Sequence, residues 1–150
     1  MNGIINVVNS SEIINKDQLP VLAFYGTRKS SGFGIPSADL VTSCNSDYFE
    51  YDSDTRKFLC KKTFTGTVYV LSTANYSAAG SGNVITYCQW KLYVDDTQYA
   101  SATGNTTIRY NTYSSVPFTS GKSTYIEGYC YSTAANKKSG RGDYLLLVTL

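Results

Sequence analysis

Asp47, Glu50, Asp52 and Asp54 form the densest acidic group in the chain, and Asp52-Ser53-Asp54 alternates as the carboxylates of a calcium loop do. No Asp-x-Asp-x-Asn-Gly frame follows, so a solvated turn is the expected reading and no metal ligand is assigned. Glycoside hydrolysis would need two acids converging across a groove, one with a raised pKa, and nothing in the sequence marks such a pair. His is absent, which removes imidazole bases, Ser-His-Asp and Cys-His dyads and His-containing zinc sites. No catalytic residue and no cofactor are assigned, and the chain reads as non-enzymatic. Cys44, Cys60, Cys88 and Cys130 contain no CxxC pair, which leaves neither a zinc knuckle nor a thioredoxin-like redox pair. Met1-Asn2-Gly3 offers no basic leader and the apolar run at 4–8 is short, so no signal peptide is read and free thiols are favoured over disulfides. Alternation places Cys60 with Phe58, Cys88 with Trp90, Leu92 and Val94, and Cys130 with Ile126, all facing inward.

Recognition chemistry is better represented than catalysis. The chain has 14 Tyr, a residue that pairs a large ring with a polar tip and suits both half-buried strands and binding surfaces. Tyr110, Tyr113, Tyr125, Tyr129 and Tyr131 are dense enough to stack against sugars, with ordinary cross-strand pairing as the plainer alternative. Lys137, Lys138 and Arg141 make a short basic stretch able to contact an anionic glycan, or simply a solvated loop. Tyr76, Tyr110, Tyr113, Lys137, Lys138 and Arg141 are therefore the candidate ligand-binding residues, and connectors 74–83, 101–106 and 132–142 the candidate contact loops. Arg141-Gly142-Asp143 is a tripeptide that some cell-surface receptors read on exposed turns; a hairpin turn before the last strand is the expected role.

These residues need a scaffold, and the pattern supplies an all-β one. At 150 residues and 42% hydrophobic, one packed domain is the natural outcome. The formal net charge of +2 is too small for a phosphate-neutralising surface, so nucleic acid is not an expected partner. No apolar stretch approaches the roughly 18 residues of a membrane span, so no membrane insertion is expected. Residues 1–45 read as a short irregular N-terminal arm or docking segment, or as part of the sheet, with a short helix from Asn9 and a strand over 19–26. Residues 46–150 read as the head. Strands are expected at 48–51, 56–61, 67–72, 84–94, 98–100, 106–113, 123–131 and 144–150, separated by turns such as Asp52-Ser53-Asp54-Thr55 and Asp95-Asp96 and by connectors at 114–117 and 134–142. Such a rhythm belongs to an antiparallel sandwich or barrel.

Tyr51-Asp52-Ser53-Asp54-Thr55-Arg56-Lys57-Phe58-Leu59-Cys60 followed by Gly66-Thr67-Val68-Tyr69-Val70 resembles the signature of complement-type globular heads, with Tyr51, Asp52, Thr55, Phe58, Cys60 and Gly66 at the matching places and the apolar run 144–150 as the closing strand. Arg56 stands where that family has Gly, and no collagen stalk is present. The resemblance implies a tumour-necrosis-factor-like jelly roll, as found at bacteriophage tail-fibre and baseplate tips, and a homotrimer.

A physical argument runs parallel to it. The last strand is apolar on both faces, Leu145 and Leu147 alternating with Leu146, Val148 and Leu150, so something must cover the second face. Tyr144, Leu146, Val148 and Leu150 are the expected trimer-interface residues, with residues 1–45 folding back as the competing cover. The expected function is a non-enzymatic trimeric head on a virion surface, or extracellular, that binds a cell-surface ligand, plausibly a glycan, and docks on other virion proteins through residues 1–45. A structural capsid-decoration protein and a small glycan-degrading enzyme are the alternatives.

Overall fold

The computed structural model describes residues 19–28, 32–76, 86–104, 108–132 and 140–150, and every regular element among them is a β-strand. In chain order these are β1 (Pro20–Arg28), β2 (Ser37–Cys44), β3 (Phe49–Asp52), β4 (Lys57–Cys60), β5 (Phe64–Tyr76), β6 (Thr86–Val94), β7 (Thr97–Ala102), β8 (Ile108–Phe118), β9 (Ser123–Ser132) and β10 (Gly140–Thr149). They form two antiparallel five-stranded sheets, β2-β1-β10-β5-β8 and β3-β4-β9-β6-β7. The chain changes sheet after β2, β4, β5, β7, β8 and β9, so the two sheets close on each other as a sandwich.

Period-two alternation dictates what lies between them. From the first sheet Leu22, Phe24, Val68, Val70, Leu146 and Val148 meet Phe58, Cys88, Trp90, Leu92 and Ile126 from the second, each 1% exposed or less. Cys60 and Cys130 face inward as the alternation requires, and all four cysteines are thiols. One end of the core is closed by aromatic rings: Phe64 stacks on Phe118 at 4.7 Å, and Phe49 meets Phe118 edge-on at 5.6 Å. Such pairs add specific geometry to the area they bury.

Tyr144 spans the sandwich. Its ring is fully buried and its hydroxyl donates to the carbonyl of Tyr129 in the opposite sheet at 2.6 Å, which satisfies a polar tip that would otherwise be costly to bury. Two glycines make room for it: a Cβ on Gly128 would lie 2.6 Å from the Tyr144 Cζ, and one on Gly142 2.5 Å from its hydroxyl oxygen.

The turns follow their side chains. Asp52 Oδ1 accepts from the backbone N–H groups of Asp54 and Thr55, and Oδ2 from the Thr55 hydroxyl at 2.7 Å. These bonds, the hydroxyl's foremost, hold the Asp52 carboxyl below the usual carboxylate range. Asp52–Thr55 is thus a capped turn, while Glu50 lies in β3 and Asp47 in the preceding turn, its N–H bonded to Asn45. Arg56, where the resemblance expects Gly, sits at φ 59° and its guanidinium donates to the Ile35 carbonyl at 3.1 Å. Asp95 and Asp96 turn β6 into β7 with φ 54° and 62°, the two-residue geometry that matches strand twist.

Several boundaries differ from the sequence expectation. Ser114-Ser115-Val116-Pro117, expected as a connector, lies inside β8, where Ser115 at φ 57° and a register shift between Gly66 and Val68 form a bulge that lets the strand continue. Pro117 is tolerated because β8 is an edge strand. Residues 20–44 supply two strands to the first sheet; β2, rich in Ser and Thr and lying at the edge, carries too weak an apolar alternation to announce itself. The helix expected near Asn9 lies outside the described residues.

Candidate recognition surfaces

The first surface is the outer face of the β2-β1-β10-β5-β8 sheet. Because Tyr144, Leu146 and Val148 are all 0% exposed within a single chain, they cannot form the trimer contact expected of them; parity sends Leu145 and Leu147 outward instead. Leu145 lies between Tyr25 of β1 and Leu71 of β5, and Leu147 between Ala23 and Tyr69. Leu71 continues the row to Tyr110 of β8, and Ile108 stands beside it; these two are 61% and 63% exposed. An apolar and aromatic patch therefore crosses four adjacent strands. β1 and β2 extend this sheet sideways, so among the described residues the N-terminal segment does not lie over the face. Leu150, 39% exposed, is off the sheet end, lining a shallow cleft of about 430 Å³ with Leu19, Pro20 and Tyr48.

Polar residues border the patch at one end. Arg141 and Asp143 form an ion pair at 2.9 Å, and Tyr25 hydrogen-bonds to both. Asp143, and then Tyr25, hold the Arg141 guanidinium firmly charged. Arg141-Gly142-Asp143 is not the hairpin turn expected: all three residues are in β10, in register with Thr73–Asn75 of β5. Paired on both sides, Gly142 and Asp143 cannot be offered to a receptor as an exposed loop.

The second surface is the end of the sandwich where connectors leave. Tyr76 pairs with Gly140, Thr86 with Ser132, and Thr73 with Ile108, so the strand ends flanking 77–85, 105–107 and 133–139 converge there. Lys137 and Lys138 lie outside the described residues, as does the side chain of Tyr76. Arg141 reaches this end from the first sheet. The structure separates Tyr110 from Tyr113: Tyr110 faces outward, whereas Tyr113 packs edge-on against buried Trp90 at 6.3 Å. A spacing of three along a strand puts two side chains on opposite faces.

Tyr125 and Tyr129 of the proposed sugar platform belong to the outer face of the second sheet, and the side chain of Tyr131 lies outside the described residues. Tyr125 stacks on Tyr93 at 4.5 Å and 6°, while the Lys57 ammonium sits 4.4 Å over its ring. Both faces of Tyr125 are thus occupied, which is cross-strand and cation–π packing. Tyr129 packs on Phe33 at 5.3 Å, and Lys91 caps Phe33 at 4.2 Å.

Ionisation is governed mainly by burial. Desolvation pushes Tyr113, Tyr125 and Tyr144 above the phenol range, and desolvation with the bond to Glu127 pushes Tyr93 up to about 12. Burial likewise raises Cys44, Cys60 and Cys88, and lifts Cys130 to about 11. In the unfolded chain these groups ionise near their ordinary values of about 8.5 and 10. Above those values the folded state holds more protons than the unfolded one, so stability declines with rising pH. The melting temperature should therefore be level between about pH 5 and pH 8 and fall steadily towards pH 11–12. A scan of Tm against pH checks this, and a flat profile there would contradict it.

Among the described residues no group of three or more Cys, Asp or Glu side chains is placed to hold a metal ion. Comparison with known proteins gives no matching family model and no matching curated sequence.

Proposed function

We propose that this chain is a jelly-roll recognition head that works as a homotrimer and binds a cell-surface ligand without catalysis. The ladder supports the jelly-roll reading: β1 pairs with β10, β4 with β9, β5 with β8 and β6 with β7, the nested first-to-last order of a long hairpin rolled into a sandwich. The observation that carries the trimer is the outer face of the first sheet. Leu145, Leu147, Leu71, Tyr69 and Tyr25 form a contiguous outward patch on a chain whose other sheet is overlaid with Lys57, Lys91 and Glu127. A patch of that kind is the usual mark of an interface, and β10 lies at the centre of its sheet.

Around a threefold axis, three copies would bury this patch together and leave three connector ends pointing the same way. Weak contacts at each end then act jointly, raising avidity through effective concentration. The ligand class we favour is a glycan carrying negative charge, met by Arg141, Lys137 and Lys138, with residues 1–45 docking the head on a virion. Tyr110 belongs in this arrangement to the association face.

Native mass spectrometry at micromolar and nanomolar concentration tests the assembly. The expected mass is three times 16.5 kDa; a lone 16.5 kDa particle at both concentrations removes the proposal. A glycan array with the trimer then separates a receptor-binding head, which retains acidic glycans, from a capsid-decoration protein, which retains none.

A further inference from the structure

Cys88 and Cys130 face each other across the β6–β9 ladder, and both are buried. Their pairing type can be read from neighbouring hydrogen bonds. Gly128 exchanges both its N–H and its C=O with Gly34, at 2.8 and 3.1 Å, so its backbone polar groups point away from β6. Trp90↔Gly128 is therefore a non-hydrogen-bonded pair, and pairs two residues further on are of the same type. Cys88↔Cys130 is that next pair. The Cys88 carbonyl agrees with this, since it accepts from Arg109 Nε at 3.3 Å on the side away from β9.

Non-hydrogen-bonded partners in an antiparallel ladder have Cα atoms about 4.5 Å apart, inside the roughly 4.4–6.8 Å that a disulfide spans. The Cys88 thiol now donates to Ser72 Oγ at 3.3 Å; rotation about its Cα–Cβ bond would turn the sulfur towards Cys130.

We propose that Cys88 and Cys130 are a cross-strand dithiol that closes to a disulfide when the protein meets an oxidising, disulfide-containing environment. In the exchange, the thiolate of one cysteine attacks a small-molecule disulfide, forming a mixed disulfide and releasing one thiol. The second thiolate then displaces the other half, so two S–H bonds are lost, one protein S–S bond is formed and the reagent leaves as two thiols. Burial that raises both thiols makes closure slow in the native protein at neutral pH, and faster as the pH rises. The link would join β6 just after residues 77–85 to β9 just before 133–139, fastening the two strands from which those connectors leave. Cys44 and Cys60 have no such partner: the residue opposite Cys60 is Phe49, and the one opposite Cys44 is Leu22.

The test is to incubate the purified protein with oxidised glutathione at pH 8.5, alkylate the remaining thiols after denaturation, and map the peptides. The expected product carries alkyl groups on Cys44 and Cys60 and a linked peptide joining the segments of Cys88 and Cys130. Its Tm should exceed that of the reduced protein by on the order of 10 °C, and Cys130→Ser should abolish both the linked peptide and the shift. Alkylation of all four cysteines after prolonged oxidation, or linkage of any other pair, overturns the proposal. The peptide map on the unsubstituted protein decides the matter even if Cys130→Ser fails to fold.

Discussion

Leu147→Arg should convert the proposed trimer into single chains that remain folded. Leu147 lies on the outward face of β10, between Ala23 and Tyr69, and touches none of the core made by Leu146 and Val148 on the opposite side. An arginine there can carry its charge into water in an isolated chain, its stem lying along the sheet. In the proposed trimer, three such guanidinium groups would enter one desolvated face without carboxylate partners, at a cost of several kcal/mol each. Every 1.4 kcal/mol is about tenfold in affinity, so the dissociation constant should rise by about a thousandfold or more. Light scattering should report 16.5 kDa with the far-ultraviolet β signal and the Tm of the isolated chain kept. Lys91→Glu, on the outer face of the other sheet, should leave the mass unchanged. If the unsubstituted protein is trimeric and Leu147→Arg keeps that mass, the association face is elsewhere.

The strand interiors were legible from sequence because alternation is a local signal: Cys88, Trp90, Leu92 and Val94 read as one face, and one face they are. The inward face of β10 is not legible for a related reason. Both of its parities are apolar, so alternation could not say whether the Tyr144 set or the Leu145 set faces inward; Gly128 and Gly142, on two strands from opposite sheets, decide it by leaving a space that only the Tyr144 ring fills. β2 is not legible because its sequence, Ser-Ala-Asp-Leu-Val-Thr-Ser-Cys, sets only a short apolar pair among small and polar residues at a sheet edge. The strand through Ser114–Pro117 escaped because its residues have turn chemistry, and the bulge that accommodates them is a property of the β5–β8 pairing rather than of the segment. The odd spacing of Tyr110 and Tyr113 along one strand by itself places them on opposite sides. What sequence could not supply is which turns meet: convergence of the three connector ends depends on register between strands far apart in the chain.

Gly128→Ala should be strongly destabilising. The added methyl would stand 2.6 Å from Tyr144 Cζ and 2.7 Å from Cε2, well inside van der Waals contact. The ring cannot swing aside, because it is fully enclosed and its hydroxyl is tied to the Tyr129 carbonyl. β9 cannot easily retreat either, since Gly128 is also bonded through its backbone to Gly34. Overpacking of a rigid core costs about 1–3 kcal/mol, and with the ring, the hydroxyl bond and the bridge all opposing relaxation the upper end is expected, lowering Tm by on the order of 10 °C. Trp90, the only tryptophan and fully buried, makes its fluorescence a direct reporter of unfolding. Tyr144→Leu removes both the ring and the bond and should destabilise by itself, but in that background Gly128→Ala should cost much less, leaving a coupling energy of about 2 kcal/mol between the two positions. Equal costs in the two backgrounds would mean that Tyr144 does not occupy the space between the sheets, and the assignment of the outward face to Leu145 and Leu147 would fall with it.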